Sequence, residues 1–98
     1  MVIWSAPAKA DLRSIHDFIA NDSRHYAKKV VRDLIDKTDI LDRLPRIGQV
    51  VPELGDDNIR QLQLYSYRLI YEIKGEDVLI LAVVHKRREF QPEVIERV

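Results

Sequence analysis

The side chains best suited to chemistry lie in the last third of this sequence, where Arg68 precedes the run His85-Lys86-Arg87-Arg88. Two arginines beside an imidazole can bind a phosphate group, or can promote RNA cleavage by assisting the attack of a 2′-hydroxyl. A structural interpretation is also open, in which Arg68 pairs with Glu72 or the terminal carboxylate and the basic run is a solvated strand end. Whether these side chains meet depends on the elements that hold them.

Most other catalytic and ligand-binding patterns are missing from the sequence. It contains no cysteine, which excludes a disulfide framework, a thiol nucleophile and a thiolate metal site. It also lacks a phosphate-binding glycine loop, an HExxH zinc motif, a nucleophile elbow and an acidic cluster with metal-ligand spacing. His16 and His25 fall on predicted helices without a matching ligand partner, so we interpret them as structural. We predict that the protein uses no cofactor and no metal.

Length, charge and hydropathy narrow the class of protein. A chain of 98 residues allows one small domain, which we predict to span 1–98. The 16 basic and 16 acidic residues give a net charge of zero. Proteins that bind nucleic-acid phosphates usually carry an excess of basic residues, so any basic patch on this protein is local. The longest apolar run, 78–84, is far shorter than the ~20 residues of a membrane helix, and the N-terminus does not resemble a signal peptide. We expect a cytoplasmic protein without a membrane partner.

The spacing of apolar residues predicts the elements that position the basic side chains. A short strand at 2–4 precedes two helices, the first beginning at Pro7 and the second running from the capping residues 21–23 to Pro45. So short a joint between helices implies an antiparallel hairpin. Alternation then predicts a short edge strand before Pro52 and three strands at 59–64, 67–74 and 77–85. The predicted fold is α+β, with the helical hairpin packed on one face of an antiparallel-rich sheet in the order β-α-α-β-β-β.

Alternation along these strands also predicts that one face of the sheet stays open. The uniformly apolar face packs against the helices. The opposite face mixes polar groups with an apolar strip of Leu79, Leu81 and Val83, which two helices cannot also cover. In this register Arg68 lies opposite Val83, and His85 is its diagonal neighbour on the same face. Because uncovered apolar strips usually mark partner surfaces, we predict a binding groove there.

The aromatic side chains add further candidates. Tyr65 and Tyr67 flank a predicted turn, where they either stack on bases or pack locally, whereas Tyr71 is a core residue of the apolar face. Phe90, in a predicted loop after the basic run, packs over the sheet edge or faces a partner. The residues alone leave these alternatives open.

Several short motifs follow one another along nearly the whole chain. They are WSAPAKADL at 4–12, LPRIG at 44–48, VPEL at 51–54, YRLIY at 67–71 and VVHKRR at 83–88. Each motif alone is weak, but their order and spacing resemble the toxins of the RelE/ParE superfamily, from bacterial type II toxin–antitoxin modules. The resemblance implies the β-α-α-β-β-β architecture and a cognate antitoxin whose C-terminal segment wraps the toxin and neutralises it.

The resemblance implies one of two activities, because the superfamily contains mRNA endonucleases and gyrase inhibitors. Arg68 and Arg87 match arginines of the RelE-like ribonucleases. Ile59 and Gln61, however, stand where those enzymes carry lysines, and no tyrosine follows Tyr71. The loss of two cations and an aromatic ring removes charge stabilisation on which phosphate cleavage depends.

A histidine at a strand end invites a second comparison, with ribonucleases of the YoeB type. His85 would act there with a glutamate, for which Glu53 is the candidate. Lys86, however, replaces the aromatic residue that should follow the histidine. The pattern therefore favours the ParE-like branch over both kinds of ribonuclease.

We accordingly expect a ParE-like toxin of the plasmid-stabilisation type, which inhibits DNA gyrase and so blocks replication and growth. Its expected partners are gyrase and a ParD-like antitoxin with a ribbon-helix-helix N-terminus, and operator DNA is contacted only through that antitoxin. The alternative is a ribosome-dependent mRNA endonuclease that uses Arg68, His85, Arg87 and Glu53. The predicted partner-binding residues are Leu79, Leu81, Val83, Arg68, Lys86, Arg87, Arg88 and Phe90.

Overall fold

The computed structural model describes residues 1–87, which form a five-stranded sheet and a helical hairpin. The elements are β1 (Val2–Trp4), α1 (Ala6–Ala20), α2 (Arg24–Lys37), a 3₁₀ helix (Thr38–Asp42), β2 (Gln49–Val50), β3 (Ile59–Leu64), β4 (Tyr67–Lys74) and β5 (Asp77–His85). The sheet order is β1-β5-β4-β3-β2, with β1 parallel to β5 and the other pairs antiparallel. The predicted α+β class and the predicted bounds of β1, β3, β4 and β5 are confirmed.

Side-chain caps fix the beginning of both helices. The hydroxyls of Ser5 and Ser23 each accept a hydrogen bond from the amide three residues further on, at 3.2 and 3.1 Å. The second helix ends earlier than its apolar spacing predicted, because the chain tightens into the 3₁₀ helix at Thr38. The Thr38 hydroxyl donates to the Ile35 carbonyl at 2.7 Å, which helps to close the last turn.

The helical hairpin covers one face of the sheet. Its contact with β4 and β5 buries Leu12, Val30, Leu34, Leu69 and Val83. Leu12 belongs to α1, whereas Val30 and Leu34 belong to α2, so both helices contribute to the same core. This packing holds β4 and β5, which carry the basic side chains, against a rigid support.

Tyr71 is fully buried in β4, as the sequence predicted. Its hydroxyl donates to the Pro45 carbonyl at 2.7 Å and accepts from the Gly48 amide at 3.0 Å. A Cβ atom at residue 48 would stand 2.5 Å from this hydroxyl oxygen, so the loop can approach the ring this closely only with glycine. The loop before β2 is thereby fastened to the centre of the sheet.

A β-bulge interrupts β5 beside the middle of β4. Tyr71 pairs with Ile80, but the preceding residue of β4, Ile70, pairs with Ala82. Leu81 is therefore the extra residue, and the alternation of side chains shifts by one position beyond it.

The bulge changes the neighbours of the candidate site residues. Arg68 lies opposite Val84, and His85 lies opposite Tyr67. The predicted register, with Arg68 opposite Val83 and His85 diagonal to it on the same face, is therefore wrong. Neighbouring residues of a strand point to opposite faces, so Arg68 and the pair Tyr67–His85 lie on different sides of the sheet.

The face that we expected to be open is covered by segment 51–54. Leu81 is 1% exposed and packs in a cluster with Val51. Val83 is 5% exposed and belongs to the core beneath the helices, because the bulge turns it to that side. Leu79 is half-buried. The prediction that these three residues form an uncovered apolar strip is therefore wrong.

Candidate functional site

Arg68 projects from β4 on the face opposite the helices, where two other side chains hold its guanidinium group. Its Nε donates to Gln61 Oε1 at 2.6 Å, and Nη1 and Nη2 donate to the two carboxylate oxygens of Glu53 at 2.8 and 3.0 Å. Such a bidentate pair is both strong and geometrically specific. Only 12% of the Arg68 side chain is exposed. Arg68 therefore fastens segment 51–54 to the sheet.

The same contact sets the charge of Glu53. Hydrogen bonds from the Arg68 guanidinium hold the pKa of the Glu53 carboxyl below its ordinary value, because they favour the ionised form. A carboxyl group kept ionised in this way is a poor proton donor near neutral pH. The geometry suits Glu53 to holding Arg68 in place.

The two positions at which RelE-like ribonucleases carry lysines are interior positions here. Ile59 is fully buried, and Gln61 is 6% exposed and accepts the hydrogen bond from Arg68. Neither position adds a cation to the face around Arg68. A phosphate at Arg68 would meet a guanidinium whose charge Glu53 already neutralises.

His85 lies at the end of β5 and contacts Tyr67 edge to face, with ring centroids 5.5 Å apart and an interplanar angle of 86°. Its Nδ1 accepts a hydrogen bond from the Arg87 amide at 3.0 Å. A neutral imidazole that accepts at Nδ1 carries its proton on Nε2. In this arrangement Nδ1 holds the backbone of the turn that follows β5.

The four residues of the ribonuclease alternative thus form two separate groups. Glu53 and Arg68 are joined on the face that segment 51–54 covers. His85 and Arg87 are joined at the end of β5, and the imidazole lies on the other side of the sheet. One phosphate cannot contact Arg68 and His85 together, because the β4–β5 backbone lies between their side chains.

The end of β5 is an exposed basic corner. Lys86 and Arg87 are both exposed, and within residues 1–87 neither forms an ion pair. The Lys86 amide donates to the Ser66 carbonyl at 2.6 Å, which fixes this turn against the β3–β4 turn. Arg88 and Phe90, the other two residues predicted for this region, lie outside the described residues.

The tyrosines beside this corner pack locally. The Tyr65 hydroxyl donates to the Asp33 carboxylate and accepts from Lys29 Nζ at 3.4 Å, which joins the β3–β4 turn to α2. Tyr65 holds this position with a φ of 55°. Tyr67 is half-buried against His85. Of the two alternatives that the sequence left open, local packing describes both rings.

Residues 1–87 hold neither a metal centre nor a membrane-spanning helix. Residues 1–87 contain no group of three histidine, aspartate or glutamate side chains that could hold a metal ion. Neither of the two described helices combines the length and the apolar character needed to cross a membrane.

The sequence pattern did not draw attention to a row of cations on α2. Arg24, Lys28 and Arg32 line shallow grooves beside His16 of α1. Their spacing of four residues was the available signal, since it places all three on one side of a helix.

Comparison with known proteins relates this geometry to a family. A family model described as the ParE toxin of the type II toxin–antitoxin system parDE matches residues 2–90. A solved structure titled as the chromosomal ParDE TA system from P. aeruginosa has a similar fold, with a TM-score of 0.72 and 24% sequence identity. The match covers 86% of this chain and 92% of that chain. A search of curated proteins finds no match.

Proposed function

Because the chain belongs to the ParE toxin family of type II toxin–antitoxin systems, we propose that it inhibits DNA gyrase and that a cognate antitoxin neutralises it. The predicted superfamily and its ParE-like branch are confirmed by the family match over residues 2–90. The proposal further holds that residues 1–98 act as a single toxin domain and that the protein works in the cytoplasm, where it meets gyrase.

The separation of Arg68 from His85 is the observation that favours gyrase over mRNA as the proposed target. An endonuclease of the predicted kind needs a proton-transfer group and cations around one phosphate. Here Arg68 is paired with Glu53, and His85 lies on the other side of the sheet with its Nδ1 occupied. A toxin that acts by binding needs no such assembled set.

The proposed antitoxin is ParD-like, with a ribbon-helix-helix N-terminus. The solved structure with a similar fold is titled as a ParDE system, which supports a partner of this kind. The net charge of zero supports the view that operator DNA is contacted only through the antitoxin, since phosphate contacts require clustered cations.

The proposed partner-binding surface is smaller than the one predicted from sequence. Lys86 and Arg87 are exposed at the end of β5 and are proposed to contact gyrase, together with Arg88 and Phe90 further along the chain. Leu79 is half-buried and pairs with Ile3, which is 40% exposed, so the β1 edge is the proposed apolar contact. The other predicted residues, Arg68, Leu81 and Val83, would support this surface from within the fold.

A supercoiling assay with purified gyrase, relaxed plasmid and the purified toxin tests the target. We expect supercoiling to stop and linear plasmid to accumulate. Primer extension on mRNA from a translation extract treated with the same toxin should reveal no codon-positioned cuts. Cleaved mRNA together with unaffected supercoiling would overturn the proposal in favour of the endonuclease.

Variants of the exposed corner test whether Lys86 and Arg87 contact gyrase. The double variant Lys86→Glu/Arg87→Glu should lose gyrase inhibition, whereas Lys74→Glu, an exposed residue at the opposite end of β4, should retain it. His85→Ala should also retain inhibition, because the proposal gives the imidazole no chemical role. Circular dichroism of each variant separates lost binding from lost folding.

A further inference from the structure

We propose that turn 44–47 is an apolar anchor that inserts into a pocket on the enzyme that the toxin inhibits. The turn precedes β2, which lies at the edge of the sheet opposite β1, so it is separate from the exposed corner at the end of β5. The inference rests on the proposed function, because it assigns the pocket to gyrase.

Two large apolar side chains of this turn face solvent. Leu44 and Ile47 are each 51% exposed. They occupy the first and last positions of a reverse turn, which a 3.1 Å hydrogen bond from the Ile47 amide to the Leu44 carbonyl closes. Exposure alone does not single out these residues, because Phe18 of α1 is 74% exposed and scattered apolar residues are common on protein surfaces. What distinguishes them is the backbone that carries them.

Side chains from the sheet hold the backbone of the turn. The buried Tyr71 hydroxyl donates to the Pro45 carbonyl at 2.7 Å. Arg60 Nη1 donates to the Arg46 carbonyl at 3.2 Å and to the Gly48 carbonyl at 2.9 Å. With the hydrogen bond that closes the turn, these contacts give a donor to each carbonyl of residues 44–46 and to that of residue 48. A backbone fixed in this way has little conformational freedom left to lose when a partner binds, which favours binding.

The charges beside the turn describe the rim of the pocket. Arg46 is paired with Asp57 at 2.7 Å, whereas Arg43 is exposed and no carboxylate within residues 1–87 forms an ion pair with it. Asp42, the neighbour of Arg43 in the chain, is paired instead with the N-terminal amine at 2.9 Å. We therefore expect a pocket with an apolar interior and a carboxylate at its rim.

A fixed turn with exposed apolar side chains suits a folded protein as its partner. Such side chains are complementary to a preformed cavity, which a folded enzyme supplies and an extended segment that wraps around the toxin does not. A nucleic acid is a poor partner for Leu44 and Ile47, because most of its contacts are hydrogen bonds to phosphates and sugars. These properties favour gyrase, among the proposed partners, as the protein that holds the pocket.

Equilibrium binding of the labelled toxin to gyrase tests this inference. Because the chain has no cysteine, Asp22→Cys in the exposed turn between α1 and α2 accepts a single fluorophore, and anisotropy then reports binding to purified gyrase on duplex DNA. We expect Leu44→Ser/Ile47→Ser to weaken binding about 10- to 100-fold. Phe18→Ser, the matched control, removes a more exposed apolar side chain and should change the affinity by less than about twofold.

Arg60 is a positioning residue for the anchor, and a double-mutant cycle tests this role. Arg60→Gln removes the Nη1 donor and leaves Leu44 and Ile47 in the chain. We expect it to weaken gyrase binding about tenfold. In the Leu44→Ser/Ile47→Ser background the same change should have no further effect, because no anchor is left to position. Equal effects in the two backgrounds would show that Arg60 acts on the fold in general and would refute its positioning role.

Hydroxyl-radical footprinting of the unmodified protein is a measurement that needs no variant. Gyrase should protect Leu44 and Ile47 from oxidation and leave Phe18 unprotected. If the unmodified protein fails to bind gyrase, the proposed function and this inference are both overturned. Gyrase binding that is neither weakened by Leu44→Ser/Ile47→Ser nor accompanied by protection of turn 44–47 overturns this inference alone. Binding to phosphatidylglycerol vesicles that requires both residues, with unchanged affinity for gyrase, would assign the turn to a membrane surface instead.

Discussion

At the scale of single residues, the Arg68 guanidinium donates two hydrogen bonds to the Glu53 carboxylate and one to Gln61 Oε1. We expect Arg68→Ala to lower the free energy of unfolding by about 1–3 kcal/mol, because it leaves a partly buried amide and a carboxylate without their donor. Urea denaturation measures this loss. Arg13→Ala, on the exposed side of α1, should change stability by less than about 0.5 kcal/mol. Equal stability of the two variants would contradict a structural role for Arg68.

Tyr71 provides a second test at this scale, because its buried hydroxyl serves both the Gly48 amide and the Pro45 carbonyl. Tyr71→Phe should lower the free energy of unfolding by about 1–3 kcal/mol, since a buried amide loses its acceptor. Tyr65→Phe removes a hydroxyl from an exposed cluster and should lower the free energy of unfolding by less than Tyr71→Phe does, because water replaces the lost contacts. Hydrogen exchange at the Gly48 amide should accelerate only in the Tyr71 variant, and unchanged exchange would refute the contact.

At the scale of elements, the sequence predicted the strands well because turn residues and alternation mark their ends. It could not predict the bulge, because every residue from Val78 to Val84 is apolar and a shift by one position leaves such a run unchanged. The sequence therefore identified the candidate residues Arg68 and His85, but it could not show that their side chains lie on different sides of the sheet. The cover formed by segment 51–54 was equally hidden, since it depends on the tertiary pair Glu53–Arg68.

On the side of β5 that faces β1, a side chain from a helix supplies a hydrogen bond that the sheet lacks. β1 pairs with β5 only at residues 78–80, and beyond them the Asp11 carboxylate of α1 accepts the Val83 amide at 2.9 Å. We expect Asp11→Ala to speed hydrogen exchange at Val83 and to destabilise the protein by about 1–3 kcal/mol. Asp11→Asn keeps an acceptor oxygen and should remain close to the parent protein. Identical exchange in both variants would show that this contact does not protect the edge.

At the scale of the whole molecule, both faces of the sheet are covered, by the helical hairpin on one side and by segment 51–54 on the other. Binding is therefore left to the periphery, namely the β1 edge, the end of β5 and turn 44–47. The net charge of zero does not reveal that the basic residues fall into two groups. Basic residues such as Arg68 and Lys29 are used in internal pairs, whereas among residues 1–87 no carboxylate pairs with Lys86, Arg87 or the row on α2.

The internal pairs also set how stability depends on pH. Arg68 lowers the pKa of Glu53 from an ordinary value of 4.5, and Lys29 lowers the pKa of Asp33 from 3.8. A lowered folded-state pKa stabilises the fold above the unfolded value, and this contribution is lost as pH falls through the folded value. Asp42 raises the pKa of the N-terminal amine from 8.0, so that contribution is complete below 8.0 and is lost as pH rises through the folded value. The free energy of unfolding should therefore be greatest between about pH 4.5 and pH 8.0, which are the ordinary pKa values of the Glu53 carboxyl and the N-terminal amine.

Glu53→Gln separates the contribution of the Arg68 pair from the rest of this profile. The parent protein should lose urea resistance as pH falls below 4.5, the ordinary pKa of the Glu53 carboxyl. The variant should start from a lower stability at pH 7 and lose less of it over the same acid range, because a glutamine has no proton to gain. Asp39→Asn, which removes an exposed carboxyl from the 3₁₀ helix, is the matched control and should follow the parent. If the Glu53→Gln profile instead ran parallel to that of the parent, the charge of Glu53 would not be what holds segment 51–54 on the sheet.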